Sequence, residues 1–258
     1  MIGRLLTLLL LCLLAPASAG ATTGRADFGF HQRPGAEVPM DAPLWDQNGH
    51  AVHLRDIVRM RPTILALGYY HCPNLCGVVR DDLLHALSLS GLKPNQYSLI
   101  VLSIDPSETR VEAASAEHAD LARYPVPGAE SAWHYLLGPA SSVRGIAAAV
   151  GFPYRYDAEL KQFLHPTGLV FLNTTGRVSG YLLGVGYAPG DLKSGIIRAG
   201  KGGIEKAAAP VLLLCFHFDP NTGRYTLAIA KVLQLAGLLT VLILVATVGF
   251  ALRRERLR

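Results

Sequence analysis

Pro62-Thr63-Ile64-Leu65-Ala66-Leu67-Gly68-Tyr69-Tyr70-His71-Cys72-Pro73-Asn74-Leu75-Cys76 is the stretch whose reading decides the fold. Thr63 to Tyr70 is a continuous apolar run bounded by Pro62 and the Cys72-Pro73 step, the pattern of a strand buried on both faces. After Cys76, the residues Val79, Leu83 and Leu87 recur at i, i+4 and i+8, which predicts a helix to about Leu89, stopped by Gly91 and Pro94. The cysteine pair therefore sits where a buried strand gives way to a helix. Downstream, Tyr97 to Ile104 reads as a second buried strand. Asp105-Pro106-Ser107-Glu108-Thr109 reads as the start of a helix to about Ala122, with Asp105 as its cap and Pro106 at its first position. Trp133 to Leu137 is strand-like, and Ser141 to Val150 is a short helix ended by Gly151. Thr167 to Leu172 and Val178 to Leu183 flank Asn173-Thr174-Thr175-Gly176, a hairpin signal, and a last helix follows. Upstream, Asn48-Gly49 divides Leu44 to Leu54 into a second hairpin. The layout is α/β with a mixed central sheet, and no internal repeat interrupts it.

Charge separates the ends from the middle. The chain has 258 residues, a net charge of +5 and 50% apolar residues. Arg4 contributes +1 and residues 253–258 contribute +3, leaving +1 for everything between. That distribution predicts membrane topology and excludes a nucleic-acid-binding face. A basic start, the apolar run Leu5 to Leu14 and Ala15-Pro16-Ala17-Ser18-Ala19 form a signal peptide, residues 1–19, which removes Cys12 with it. Near the other end, Val232 to Leu252 carries no charge and is long enough to cross a bilayer core of about 30 Å. The expected division is a signal peptide (1–19), an extended lead rich in Gly, Ala and Pro (20–43), a domain (44–200), a juxtamembrane linker (201–226), a transmembrane helix (227–252) and a basic cytoplasmic tail (253–258). This predicts a single-pass protein of the bacterial inner membrane with its globular domain in the periplasm.

The mature chain keeps Cys72, Cys76 and Cys215. A helix N-terminus presents unpaired N–H groups and the positive end of a dipole, which stabilise a thiolate. Two such thiols one turn apart can form a reversible disulfide, or converge on a soft metal such as Cu(I) or Zn. A purely stabilising bridge is the third reading, although closing so short a loop constrains little of the unfolded chain.

With these residues in place, Leu67-Gly68-Tyr69-Tyr70-His71-Cys72-Pro73-Asn74-Leu75-Cys76 resembles the signature of the Sco/SenC family, thioredoxin-like copper proteins that help assemble the binuclear copper centre of cytochrome c oxidase. The likeness covers roughly residues 44–200 and includes Ser103-Ile104-Asp105-Pro106 and Leu164-His165-Pro166-Thr167. It implies a thioredoxin-like mixed sheet with flanking helices, and copper held by Cys72, Cys76 and the distal His165. It also implies the copper-bearing subunit of cytochrome c oxidase as partner. Soft sulfur suits the reduced metal, and imidazole also suits Cu(II). A thiol–disulfide oxidoreductase acting through Cys72 and Cys76 on the oxidase subunit's own cysteines is the alternative, and a redox or copper sensor is a third reading. The chain departs from the family pattern at Asn74, at Gly77 and in Ser107-Glu108-Thr109-Arg110, and in carrying its anchor at the C-terminus.

The remaining candidates are weaker. Cys215 and His217, two residues apart, would share one side of a strand. His71 is expected to point away from the thiols, His50 and His53 to lie on the surface, and Gly200-Lys201-Gly202-Gly203 to be a linker.

Overall fold

The computed structural model describes residues 29–71 and 76–206, and beyond them residues 236–241, 243, 244, 247, 249 and 253. The expected signal peptide, Cys72, Cys215, His217 and much of residues 227–252 lie outside this set. Residues 236–241 are helical. No helix among the described residues is long and apolar enough to cross a membrane.

In chain order the strands are β1 (Pro43–Trp45), β2 (Ala51–His53), β3 (Thr63–Gly68), β4 (Ser98–Ser103), β5 (Trp133–Leu136), β6 (Arg155–Asp157), β7 (Gln162–Leu164), β8 (Gly168–Leu172) and β9 (Val178–Leu183). The helices are α1 (Leu54–Val58), α2 (Cys76–Leu89), α3 (Arg110–Arg123), α4 (Ala140–Ala149) and α5 (Pro189–Gly200). The central sheet has the order β5-β4-β3-β8-β9. Strands β3, β4 and β5 are parallel, whereas β8 runs antiparallel to β3 and β9 antiparallel to β8. This is a thioredoxin-like mixed sheet with flanking helices.

The run Thr63 to Tyr70 is apolar throughout because both faces of β3 are covered. Ile64 and Ala66 join Leu99, Val101, Trp133, Tyr135, Leu169 and Phe171 beneath α2, α3 and α5. Leu65, Leu67 and Tyr69 join Ile100, Leu102, Val170 and Leu172 beneath α1 and α4. Successive side chains thus feed opposite cores, as the pleat requires. Helix α5 approaches β8 so closely that a Cβ on Gly195 would stand 2.4 Å from the Phe171 ring.

Three features differ from the sequence reading. Helix α3 begins at Arg110, capped by Thr109, and not at Asp105-Pro106. Thr109 and Glu112 satisfy each other's end of the helix as a capping box, while Asp105 Oδ1 accepts the Ser107 N–H at 2.8 Å in a tight turn of its own. Second, residues 30–43, expected within an extended lead, lie against the domain. His31 N–H donates to Gly151 O at 2.8 Å, Val38 N–H to Gly176 O at 2.9 Å, and Val38 and Ala42 are buried in the second core. The Gly- and Pro-rich composition describes the irregular backbone of this strap, but Phe30, Val38 and Met40 supply enough apolar surface to seat it. Third, the β6–β7 hairpin directly before His165 was not anticipated; its three-residue strands are too short for alternation to show.

Candidate metal centre

Because β3, β4 and β5 are parallel, their C-terminal ends gather at one edge of the sheet. The start of β8 comes to the same edge because that strand runs the other way round, and the end of β9 joins it because β9, antiparallel to β8, runs in the direction of β3. Loops at this edge are the usual place for a site in open α/β sheets. The chain leaves β3 here through Tyr69, Tyr70 and His71, and the Ile104–Thr109 turn leaves β4 here. His165 enters here between β7 and β8. Ala66 pairs with Leu169, and continuing that register places His165 opposite Tyr70. Chain direction thus brings His165 to the edge at which β3 ends.

The approach to Cys72 is anchored on two sides. Tyr69 turns toward the second core and meets the rings of Phe163 and His165 edge-on, with centroids 5.7 and 6.1 Å away. Tyr70 turns to the other side, and its hydroxyl lies 3.0 Å from both Val101 O and Leu136 O, the carbonyls of β4 and β5. Burial first, then the nearby Glu108 charge, hold the Tyr70 phenol well above its ordinary value, so it stays a neutral donor.

Cys76 opens α2, a 14-residue helix whose first turn carries no acidic residue. No carboxylate in that turn opposes the positive end of the helix dipole. One turn on, Arg80 Nε lies 2.6 Å from Asp120 Oδ2, a close ion pair whose alignment falls short of a hydrogen bond. Tyr135 O–H donates to the same carboxylate oxygen at 2.6 Å. Burial raises the Asp120 carboxyl pKa against the opposing pull of Arg80 and Tyr135. This cluster ties α2 to α3 and β5 below the motif.

The His165 ring is held on two sides. Its ring stacks on Phe152, with centroids 5.4 Å apart and planes at 28°, and Nδ1 lies 2.8 Å from Pro166 O. A carbonyl only accepts, so that contact places the proton on Nδ1 and leaves the Nε2 lone pair as the donor. Fixing the tautomer through the other ring nitrogen is the ordinary way a ligating imidazole is oriented. Among the described residues no group of three His, Cys, Asp or Glu side chains is placed to hold a metal ion. The expected set includes Cys72, which lies outside them, and the side chain of Cys76, a residue of which only the backbone is described. Two thiols and an imidazole with its lone pair on Nε2 are a donor set suited to copper.

His71 reaches the start of α3. It is exposed, with Nδ1 3.2 Å from Glu112 Oε1 and 3.8 Å from Glu108 Oε1. The Glu112 carboxyl lies below its ordinary value, chiefly because it accepts the Thr109 N–H at the helix cap. His50 and His53 pair with Asp46 and Asp56 around the β1–β2 hairpin and α1. Glu108, Tyr69 and Phe152 were not read as site residues from the sequence. Nothing in a local pattern marks a residue that reaches the site through the fold.

The SCO1/SenC family model matches residues 31–186. A search of the curated proteins found no match. Among solved structures, a putative electron transfer protein from Aquifex aeolicus VF5 matches with TM-score 0.56 and 23% identity, over 66% of this chain and 96% of that one. BsSco, a member of the Sco family of cytochrome c oxidase assembly proteins in which a disulfide switch was identified, matches with TM-score 0.51 and 19% identity, over 66% and 97% of the two chains. ScoI of Arabidopsis thaliana, solved with copper bound, matches with TM-score 0.50 and 15% identity, over 68% and 99%. At these identities the likeness is one of fold.

Proposed function

Because the chain belongs to the SCO1/SenC family, we propose that it binds copper through Cys72, Cys76 and His165 and delivers it to the copper-bearing subunit of cytochrome c oxidase during assembly. The observation that carries this reading is His165. Strand direction brings it to the edge where the motif begins, and the Pro166 carbonyl sets its proton on Nδ1, leaving Nε2 as the donor. Two thiolates hold Cu(I), and the imidazole lets the same site accept Cu(II), so a carrier can take the metal in either state. Copper bound to a related ScoI and the role of the Sco family in oxidase assembly support the assignment.

The same reading places the domain in the periplasm, with a single C-terminal span at residues 227–252 and the arginine tail in the cytoplasm. The uncharged Val232–Leu252 run and the charge distribution support it. Titration of the purified full-length chain in detergent with Cu(I) under reducing conditions is the test. One equivalent of tight binding is expected, lost in Cys72→Ser/Cys76→Ser. His165→Ala should lower Cu(II) affinity and alter its visible spectrum, and an unchanged spectrum refutes the ligand assignment.

A second reading has its own support. Cys76 heads a helix free of first-turn acids, and a disulfide switch was identified in BsSco. In that reading the thiolate of one motif cysteine attacks the client's disulfide. The second resolves the mixed disulfide, leaving Cys72–Cys76 oxidised and the client dithiol reduced. Reduction of one equivalent of a client-derived disulfide peptide by the reduced, metal-free protein would favour it.

A further inference from the structure

We propose that Glu108 is a positioning residue for the metal centre, a buried carboxylate that fixes the backbone directly before Cys72 to the end of β4. The proposal rests on the copper-binding reading above and concerns a residue that does not itself touch the metal.

Four observations carry it. First, the Glu108 side chain is 2% exposed, although it sits in the turn between β4 and α3. A carboxylate so removed from water has to be held by donors. Second, its two oxygens are engaged by two different parts of the chain. Oε1 accepts the His71 backbone N–H at 2.6 Å, and Oε2 accepts the Ser103 hydroxyl at 2.5 Å. Third, Ser103 Oγ accepts the Asp105 N–H at 3.1 Å, so the hydroxyl ties the turn to the last residue of β4 as it donates to the carboxylate. Fourth, the N–H taken by Glu108 belongs to the residue immediately before Cys72, three residues beyond the last residue of β3. Strand pairing no longer fixes the backbone there.

The bracket therefore does what the ladder does farther back. Tyr70 pins the chain on the side of β4 and β5, and Glu108 pins His71 from the turn after β4. Between them, the direction in which the chain enters the cysteine motif is determined before any metal arrives. His165 is oriented independently by Phe152 and Pro166. A three-donor site forms without reorganisation only when both halves are held this way, and loosening one half lowers affinity by raising the cost of ordering it on binding. Charge-assisted hydrogen bonds from a backbone N–H and a hydroxyl are short and strong enough for the task.

Copper titration of the full-length chain, with the Cu(II) spectrum at saturation, tests the proposal in three variants. Glu108→Ala is expected to weaken copper binding by about tenfold or more, the scale typical of removing a group that orients a ligand, and to broaden the Cu(II) spectrum at full occupancy. Glu108→Gln is expected to recover most of both, because its amide oxygen still accepts the His71 N–H and its NH2 can donate to Ser103 Oγ. Ser103→Ala frees one carboxylate oxygen only, so it should move both readouts in the same direction by less, and it serves if the alanine variant at 108 does not fold. Folded Glu108→Ala with unchanged affinity and spectrum overturns the proposal, as does failure of Glu108→Gln to recover them. Failure of the unmutated chain to bind copper refutes the copper reading of the site, and the bracket with it.

Discussion

Lowering the pH should destabilise this fold through one histidine remote from the cysteine motif. His134 lies in β5, the edge strand, opposite Ile100 of β4. Burial, and secondly the charge of Arg61, push its pKa down from 6.5 to about 4, against a weaker opposing pull from Asp46. The neutral ring is therefore favoured in the folded protein, while the unfolded chain titrates normally. The stability this contributes is complete above pH 6.5 and is lost as the pH falls toward 4. Linkage over that interval amounts to about 2 kcal/mol by pH 5 and about 3 kcal/mol by pH 4. Against a typical total of about 5–15 kcal/mol, that is a large share. Glu117 and Asp120, whose carboxyls are raised chiefly by burial, titrate with the opposite sign, so the raw pH profile mixes these effects. Comparison with His134→Gln isolates the histidine, since the carboxylates are common to both proteins and cancel to first order. Urea unfolding between pH 8 and pH 4 is the assay. The variant should gain on the unmutated chain by about 3 kcal/mol across the range. A difference that stays flat within about 0.5 kcal/mol would mean that the folded protein accepts the charged imidazole, and the burial argument would fall.

Two further outcomes follow from the packing. Gly195→Ala puts a Cβ 2.4 Å from the Phe171 ring, which is 1% exposed and cannot swing away. Denaturant unfolding should show a loss of roughly 1–3 kcal/mol, and no loss would contradict the close approach of α5 to β8. Phe152→Leu removes the ring on which His165 stacks and should weaken copper binding by roughly tenfold. Unchanged copper affinity in a protein whose melting temperature has dropped would show that Phe152 serves the core alone.

The elements that carried a long local signal were legible. The runs behind β3, β4 and β8 are continuous and apolar because each strand is covered on both faces, and that condition is written residue by residue. Helix α2 showed the spacing of Val79, Leu83 and Leu87, and its end at Leu89 agrees with the Gly91 and Pro94 stop. Asn48-Gly49 marked the β1–β2 hairpin, with Gly49 at φ +87. The start of α3 was misplaced because Asp-Pro and Thr-x-x-Glu are both helix-start signals, and only the backbone shows that the second one holds. The strap at residues 30–43 reads as an extended lead because composition describes flexibility in isolation and not the surface that a segment meets.

By itself, the sequence determined the strand-to-helix step that bears Cys72 and Cys76, the class of chemistry two thiols can do there, and the segregation of positive charge to the chain ends. The tertiary structure decided what surrounds that step. Antiparallel pairing of β8 with β3 brings His165 to the motif's edge, stacking on Phe152 and the Pro166 carbonyl orient its ring, and the turn after β4 carries Glu108 to the His71 N–H. The physical reason is one of range. Hydrophobic periodicity and turn chemistry are properties of neighbouring residues, whereas strand order and direction are set by which faces must be buried together, and that choice belongs to the whole chain.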